Sequence, residues 1–409
     1  MHSWPIISLP AVVDGRRPAA IKIFDSASLS LVEAASSKIA KMYVCGITPY
    51  DATHMGHAAT YVAFDLLNRI WRDSGHEVRY VQNITDVDDP LLIRAKERGE
   101  QWQELAESQI ALFRDDMTAL RVMPPDHYIG AVEAIPLVVD AATKLIENDA
   151  AYRLNGDFYF RVHRDPDFGS RSHLDRDEML SVFAERGGDP LRPGKEDQLD
   201  CLLWQGERPG EPSWPSSLGA GRPGWHIECS AIALKYLGNT IDVQGGGSDL
   251  LFPHHEMGAS EARLLTGERF ARSFVHAGMV GLNGEKMSKS QGNLVLVSTL
   301  LKSGSSAMAI RLALLAQHYR ADRDWTAQGL MEAEQRLATW REELSRPAGP
   351  DASETIWKIR SALANDLDSP AALAAVDEWC SLPRGGSEDK PSEPGIIARA
   401  IDALLGIAI

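Results

Sequence analysis

The sequence has no long apolar run, little cysteine and no excess of positive charge. No window approaches the ~18 uninterrupted apolar residues that a membrane-spanning helix needs. The opening segment Met1–Pro5 lacks the charged-then-apolar pattern of a signal peptide. We therefore expect a cytoplasmic protein that does not enter a membrane.

The four cysteines are too few and too scattered for a disulfide framework in 409 residues; they are Cys45, Cys201, Cys229 and Cys380. Metal binding or simple burial explains such cysteines better. The formal net charge of -15 gives no electrostatic encouragement to bind a polyanion, so it counts modestly against a nucleic-acid partner.

The remaining composition is that of an ordinary globular protein, with 44% hydrophobic and 24% charged residues. The length allows two or three domains. We predict an N-terminal extension with one strand over 1–37, a sheet domain over 38–295 and a helical region over 296–409. A helical and irregular insertion at about 102–224 interrupts the sheet domain in this prediction.

The stretch Met42–Asp65 reads as strand, turn and helix, with His54 and His57 where the helix begins. Free backbone N–H groups and the helix dipole make such a place receptive to phosphate, and imidazoles add further donors. A helix cap with two surface histidines explains the stretch equally well.

A second strand, Glu77–Val81, leads through a polar loop into a helix, for which Asp89 and Pro90 form a cap and first turn. Alternating strands and helices predict a parallel sheet whose ligand crevice lies beyond the carboxyl ends of its strands. Asp86, Asp88 and Asp89 could bind magnesium, but helix capping is the favoured explanation.

Two later loops carry groups suited to a nucleotide. Glycines follow the predicted strand Thr240–Gln244, and the next acidic residue, Asp249, could take a ribose hydroxyl. Lys286 and Lys289 lie in a glycine-bracketed loop that could bring both ammonium groups onto phosphates. A tight turn and a solvated basic loop are the alternatives.

Taken together, His54–His57 and Lys286–Ser290 resemble the paired signature of class I aminoacyl-tRNA synthetases. The resemblance runs from about Ile21 to about Trp379. Further motifs narrow it to the cysteinyl branch: Val44–Gly46, Asn83–Asp86, Trp225–Ser230 and Gly246–Glu256.

This resemblance implies an α/β fold, a doubly wound parallel-sheet nucleotide-binding domain with a C-terminal helical bundle. It implies catalytic roles for His54, His57, Lys286 and Lys289. The residues that it implies for binding cysteine and the adenylate are Cys45, Gly46, Ile47, Thr48, Thr60, Asn83, Ile84, Thr85, Trp225, Gly247, Ser248, Asp249 and Val280.

The resemblance also implies one Zn²⁺ per chain, held by Cys45, Cys229 and His254. Spacing alone would not identify this site, because the three residues lie far apart in the sequence. Thiolate and imidazole are zinc ligands, and three of them leave a fourth position for the thiol of substrate cysteine. Because such a metal prefers a soft sulfur ligand to a hydroxyl, it would also let the site select cysteine over serine.

The sequence departs from the cysteinyl-tRNA synthetases in two places. Their His-His-Glu-Asn-Glu run, whose last residue is a further zinc ligand, is replaced by His254–Gly258. The helical region also ends without the expected anticodon-reading domain. Cys45–Tyr50 and Glu185–Pro190 instead resemble the actinobacterial paralogues of the mycothiol pathway, which couple cysteine to glucosaminyl-inositol.

The function implied is that of an ATP-dependent ligase that joins cysteine to glucosaminyl-inositol through cysteinyl-AMP. Its expected partners are L-cysteine, ATP with Mg²⁺ and the amino sugar, with no nucleic acid and no membrane; we expect a monomer. The rivals are a truncated cysteinyl-tRNA synthetase and a catalytically dead binding protein. Intact histidine and lysine signatures argue against the dead form.

Overall fold

A computed structural model describes residues 1–12, 15–287, 292–383 and 390–409. None of the helices in these ranges is both long and apolar enough to cross a membrane. Lys289, which the sequence assigns to phosphate binding, lies outside the described residues.

The described strands form four sheets. In chain order they are β1 (Lys22–Asp25), β2 (Ser30–Glu33), β3 (Ile39–Val44), β4 (Glu77–Ile84), β5 (His127–Gly130), β6 (Ala151–Leu154), β7 (Asp157–Phe160), β8 (Cys201–Gly206), β9 (Gly221–Pro223), β10 (Ile241–Gly247), β11 (Ala271–Ala277), β12 (Val280–Leu282), β13 (Glu285–Lys286) and β14 (Arg323–Asp324).

The described α-helices alternate with these strands and then continue alone toward the C-terminus. They are α1 (Met55–Asp73), α2 (Asp89–Arg98), α3 (Trp102–Ala119), α4 (Ala131–Glu147), α5 (Arg176–Glu185), α6 (Trp225–Leu237), α7 (Glu256–Thr266), α8 (Val297–Lys302), α9 (Ala307–Leu315), α10 (Ala327–Leu344), α11 (Ser353–Ala364), α12 (Ser369–Ser381) and α13 (Glu393–Ala400).

The central sheet has five parallel strands in the order β11-β10-β3-β4-β5. Parallel strands connected by helices place their carboxyl ends at one edge, where ligands bind. Cys45 follows β3, Thr85 follows β4 and Ser248 follows β10 at this edge. The predicted α/β class with a parallel sheet and a helical C-terminal part is confirmed.

We predicted a helical and irregular insertion at about 102–224. That prediction is wrong about the structure of this stretch, which also contains strands. β5 belongs to the central sheet, where it pairs with β4. Strands β6 to β9 form a separate antiparallel sheet over 151–223. These strands are three to six residues long, too short to set up a strong period-2 pattern between turns. The domain boundaries themselves stay predictions.

Several element ends also differ from the prediction. Helix α2 is capped by Asp88 rather than Asp89, because Asp88 has the extended backbone and accepts the N–H of Asp89. The glycines Gly245–Gly247 lie within β10 instead of following it. The predicted strand Phe274–Val280 is two strands, since β11 ends at Ala277.

A buried ionic cluster attaches α1 to the C-terminal helical region. Asp65 Oδ2 accepts a 2.6 Å hydrogen bond from Arg69 Nε and also contacts Arg311 of α9. Arg311 donates to the carbonyls of Leu405 at 2.7 Å and Leu120 at 2.8 Å. Burial alone would raise the pKa of Asp65, but the two guanidinium groups outweigh it and hold that pKa below its usual range.

We expect Asp65→Asn to lower the free energy of unfolding by about 3–5 kcal/mol, because two buried arginines lose their counterion. Denaturant unfolding at neutral pH measures this loss. The folded-state pKa of Asp65 is lowered, so the stability it gives exists at neutral pH and disappears as pH falls through that pKa. The difference in the free energy of unfolding between wild type and the variant should therefore become smaller in acid.

Lys358→Ala is the matched control, because Lys358 forms an exposed ion pair with Glu378. The two side chains are 42% and 57% exposed. Such a pair contributes about 0–1 kcal/mol. Equal losses in the two variants would contradict a structural role for the buried cluster.

Candidate metal and adenylate site

Three side chains from three different elements converge at the carboxyl edge of the central sheet. Cys45 follows β3, Cys229 lies in the second turn of α6, and His254 lies in the turn before α7. Their ligand atoms all lie within 4.8 Å of one another, and all three residues are buried. The two Sγ atoms are 3.7 Å apart, and His254 Nε2 is 3.2 Å from Cys229 Sγ.

A second layer of side chains fixes the direction of these groups. His226 Nδ1 lies 3.1 Å from His254 Nδ1, so the other ring nitrogen, Nε2, faces the sulfurs. The Trp225 ring stacks on His254 with centroids 4.5 Å apart. Gln244 Nε2 donates to Cys45 Sγ at 3.3 Å. Such outer contacts orient metal ligands and set the histidine tautomer.

The two cysteines differ in their proton affinity. Burial raises the pKa of Cys45, and the neighbouring Cys229 raises it further. Burial also disfavours the Cys229 thiolate, but the hydrogen bond from Cys45 and the charge of His254 outweigh it, so the Cys229 pKa is lowered. A bound cation would favour the thiolate form of both residues. Two sulfurs and one imidazole are a donor set that suits a soft or borderline metal.

His255 is a neighbour of this cluster that the sequence did not single out. Its Nε2 lies 3.3 Å from Cys45 Sγ, and its Nδ1 lies 2.8 Å from His276 Nε2. Burial lowers the pKa of His255, so the ring is neutral. The sequence could have indicated His255, because it directly follows His254. Nothing in the sequence indicated His276 on β11, because only the fold brings it next to His255.

The acidic residues near His254 do not extend the donor set. Glu256 points the other way and forms a buried ion pair with Arg171 at 2.6 Å. Gly258 has no side chain, and a Cβ there would lie 2.9 Å from Ser230 Oγ. The packing therefore leaves little room for a side chain at position 258.

A cavity of 390 Å³ lies beside the metal cluster. Its wall contains most of the residues that the resemblance assigned to catalysis or to the binding of cysteine and the adenylate: Cys45, Gly46, Ile47, Thr48, His54, His57, Thr60, Trp225, Gly247, Asp249 and Val280. Tyr50, Asp51 and Met279, which the sequence did not single out, line it as well. The cavity and the metal cluster share Cys45, so a ligand could reach both.

Four of the other predicted residues, Asn83, Ile84, Thr85 and Ser248, do not line the cavity. Asn83 Oδ1 accepts the N–H of Gly46 at 2.8 Å, and Asn83 Nδ2 donates to Thr85 Oγ1 at 3.3 Å. Ile84 is fully buried in the core. Ser248 begins the short turn that carries Asp249. Lys286 ends β13 next to the cavity residue Met287.

His54 caps helix α1 and also lines the cavity, while its role toward phosphate stays a prediction. Its Nδ1 accepts the N–H groups of Gly56 at 3.1 Å and His57 at 3.4 Å, so it caps α1. It also lines the cavity, with its ring stacked 3.7 Å from that of His57. Burial, and then the charge of His54, lowers the pKa of His57. His57 Nδ1 is buried without a partner among the described residues.

The three aspartates after β4 have separate roles, which favours capping over a shared magnesium ion. Asp86 Oδ1 accepts the N–H of Val132 at 2.9 Å, and Asp88 caps α2. Asp89 pairs with Arg222 at 2.5 Å. Burial raises the pKa of Asp88 to about 6.

Comparison with known proteins gives the family. The profile of the tRNA synthetases class I (C) catalytic domain matches residues 31–335. This chain belongs to that family. Curated relatives named L-cysteine:1D-myo-inositol 2-amino-2-deoxy-alpha-D-glucopyranoside ligase are 57% identical in Catenulispora acidiphila, 59% in Streptomyces griseus and 58% in Kribbella flavida. Each comparison covers 100% of both chains.

Solved structures of two other aminoacyl-tRNA synthetases share the fold. A Mycobacterium tuberculosis methionyl-tRNA synthetase in complex with methionyl-adenylate matches with a TM-score of 0.59 and 14% identity, over 90% of each chain. The LeuRS of Agrobacterium radiobacter in a ternary complex matches with a TM-score of 0.63 and 12% identity, over 91% of this chain and 84% of that one. At these identities the likeness establishes the fold alone.

We expect Gly46→Ala to disrupt the site, because an added Cβ would lie 1.8 Å from the carbonyl oxygen of Asn83. Backbone would have to move, and overpacking of this kind costs about 1–3 kcal/mol. Denaturant unfolding and cysteine-dependent pyrophosphate exchange should both show a loss.

Gly395→Ala is the matched control, because its Cβ would meet only a flexible arginine 3.6 Å away, on helix α13. Alanine is the better helix former, so this variant should be neutral or slightly stabilised. A Gly46→Ala protein as stable and active as the control would contradict the close approach.

Proposed function

We propose that this chain is an ATP-dependent ligase that activates L-cysteine as cysteinyl-AMP and transfers it to the amine of glucosaminyl-inositol. The observation that carries the proposal is a cluster of two cysteines and one histidine that shares Cys45 with the neighbouring cavity. The choice of substrates is supported by the curated relatives, which match over their full length. They are named as ligases of cysteine and an amino sugar. The product belongs to mycothiol biosynthesis.

We assign the metal as one Zn²⁺ per chain, held by Cys45, Cys229 and His254. When bound, zinc supplies an open fourth position for the substrate thiolate, which distinguishes cysteine from serine. His226 and Trp225 hold the His254 ring in place for this role. Gln244 holds Cys45 in place by donating a hydrogen bond to its Sγ.

In the first half-reaction a carboxylate oxygen of cysteine bonds to the α-phosphorus of ATP, and pyrophosphate leaves. His54 and His57, at the N-terminus of α1, donate to the phosphate oxygens as charge builds on them. Lys286 and Lys289 add positive charge, and Mg²⁺ accompanies the ATP. Gly247 and Asp249 hold the ribose side of the nucleotide, and Thr60 lies nearby.

In the second half-reaction the sugar nitrogen bonds to the cysteinyl carbonyl carbon and loses a proton. The bond between that carbon and the phosphate oxygen breaks, and AMP leaves. Thr48, Gly46 and Ile47 line the cavity, and we assign them to the surroundings of this carbonyl. Trp225, which lines the cavity and stacks on His254, excludes water from the activated ester.

The rival functions make different demands. A cysteinyl-tRNA synthetase needs a basic surface for backbone phosphates, whereas this chain carries a net charge of -15. A dead binding protein has no use for a metal cluster beside an intact pair of helix-capping histidines. A monomer in the cytoplasm, with no nucleic acid bound, remains our expectation.

We expect purified protein to carry about one zinc ion per chain and Cys229→Ser to lose it, because a hydroxyl is a poor substitute for a thiolate ligand. The zinc content, measured by elemental analysis, and the rate of cysteine-dependent pyrophosphate exchange should fall together. Cys380→Ser, a half-buried position on α12, is the control and should keep both. A Cys229→Ser protein without metal but with full cysteine affinity would disprove the assignment.

We expect the enzyme with ATP and cysteine to form an amide with glucosaminyl-inositol and to release AMP and pyrophosphate. Serine should be activated at least about 100-fold less well, because it lacks the soft donor. Mass spectrometry of the product and exchange kinetics measure both. Salt-sensitive charging of transfer RNA, with no product from the amino sugar, would instead establish the synthetase.

A further inference from the structure

The segment 248–256 carries two groups that the proposed reaction needs at fixed positions. Asp249 lines the cavity, and His254 belongs to the metal cluster. Between β10 and α7 the segment consists of two short helical turns, Ser248–Leu250 and Leu251–His255. Helical turns this short are not stable by themselves, so contacts from other parts of the chain must hold the segment in place.

Arg186 contacts this segment at two points. It directly follows α5, and its Nη1 donates to the carbonyl oxygens of Asp249 and Phe252. A hydrogen bond from a guanidinium is charge-assisted and about twice as strong as one between neutral groups. The two carbonyls are three residues apart, and the second of them lies two residues before His254. One side chain therefore holds the turn that joins the cavity wall to the metal cluster.

Arg186 is itself held by the chain on both sides of it. The N–H of Gly188 donates to the Phe183 carbonyl at 2.8 Å, and a Cβ at position 188 would lie 2.4 Å from the Phe183 ring, so the chain turns tightly after α5. Asp189 accepts hydrogen bonds from the Tyr159 hydroxyl at 2.5 Å and from Lys195 Nζ at 2.9 Å. Tyr159 lies on β7, so these contacts connect Arg186 to the antiparallel sheet.

The same part of the chain holds the far end of the segment. Glu256 is fully buried, and its carboxylate accepts the N–H groups of Gly169 at 3.0 Å and Ser172 at 2.9 Å. It also pairs with Arg171 at 2.6 Å. Gly169, Arg171 and Ser172 precede α5, and Arg186 directly follows it. Contacts from both ends of α5 thus fix the two ends of the segment.

We propose that Arg186 is a positioning residue that holds Asp249 in the cavity wall and His254 at the metal cluster. The inference rests on the function proposed above for what these two residues bind, and it assigns a role to a residue outside the cavity. Arg186 does not line the cavity, so it acts through the backbone that it contacts. Because one guanidinium holds both parts of the segment, its loss should weaken nucleotide and metal binding together.

Arg186→Ala tests the proposal. We expect the affinity for Zn²⁺, measured by competition with a chelator, to fall about 10-fold, at the lower end of what the loss of an outer contact costs a metal site. The KM for ATP in cysteine-dependent pyrophosphate exchange should rise by a similar factor. The exchange rate at saturating ATP and zinc should stay within about threefold of wild type, because the variant removes no group at the reacting atoms.

Arg161→Ala is the matched control. Arg161 also donates to two backbone carbonyls, those of Asp149 at 3.1 Å and Ala151 at 3.0 Å, and it pairs with Glu196 at 2.7 Å. It adjoins the same antiparallel sheet, but these partners lie outside the segment 248–256. The control should lose stability in denaturant unfolding and keep the wild-type zinc affinity and KM for ATP.

A purely structural role for Arg186 would give a different result. In that case Arg186→Ala would lose stability as Arg161→Ala does and keep both binding constants, which would overturn the inference. Should the alanine variant fail to fold, the same two constants measured on Arg186→Gln, which keeps an N–H donor without the charge, decide the question. Wild type without cysteine-dependent exchange would overturn the proposed function, and the zinc measurement, which needs no substrate, would then decide the inference alone.

Discussion

The close approach of two backbone segments, at Gly46 and Asn83, is the constraint on which the site depends. β3 and β4 run side by side, and the chain leaving β3 passes so near to Asn83 that a Cβ at position 46 would lie 1.8 Å from its carbonyl oxygen. This contact sets the path of the chain on both sides of Gly46. Cys45 is thereby directed toward α6 and the turn before α7, while Thr48 turns into the cavity.

From that starting point the cavity offers two different sets of groups. The N-terminus of α1, capped by His54, offers backbone N–H groups to phosphate, and the imidazoles of His54 and His57 line the cavity there. The thiol cluster adjoins the same cavity through Cys45. One set suits the phosphates of a nucleotide, and the other suits a metal that binds a thiol.

Helix α1 carries this arrangement because it is held at both ends. Its first turn forms the phosphate side of the cavity, and Asp65, further along, is paired with Arg69 and Arg311 in the interior. Arg311 connects α1 to the end of the chain through the Leu405 carbonyl. Buried ion pairs stabilise little on balance but make the loss of one partner costly. The helical region therefore contributes to the position of His54 without lining the cavity.

The sequence by itself determined the parallel sheet and the helix that begins after His54. Through its family resemblance it also named a set of residues, most of which line one cavity. These follow from local periodicity and from short motifs, which act within one element. It did not reveal β5 or the antiparallel sheet β6 to β9, whose strands are too short for a clear pattern. Only the tertiary structure decided that Cys45 and Cys229, 184 residues apart, have sulfurs 3.7 Å from each other. It alone placed His226 and His255 at the metal cluster. Such contacts depend on the packing of separate elements, a property of the whole core that no local pattern encodes.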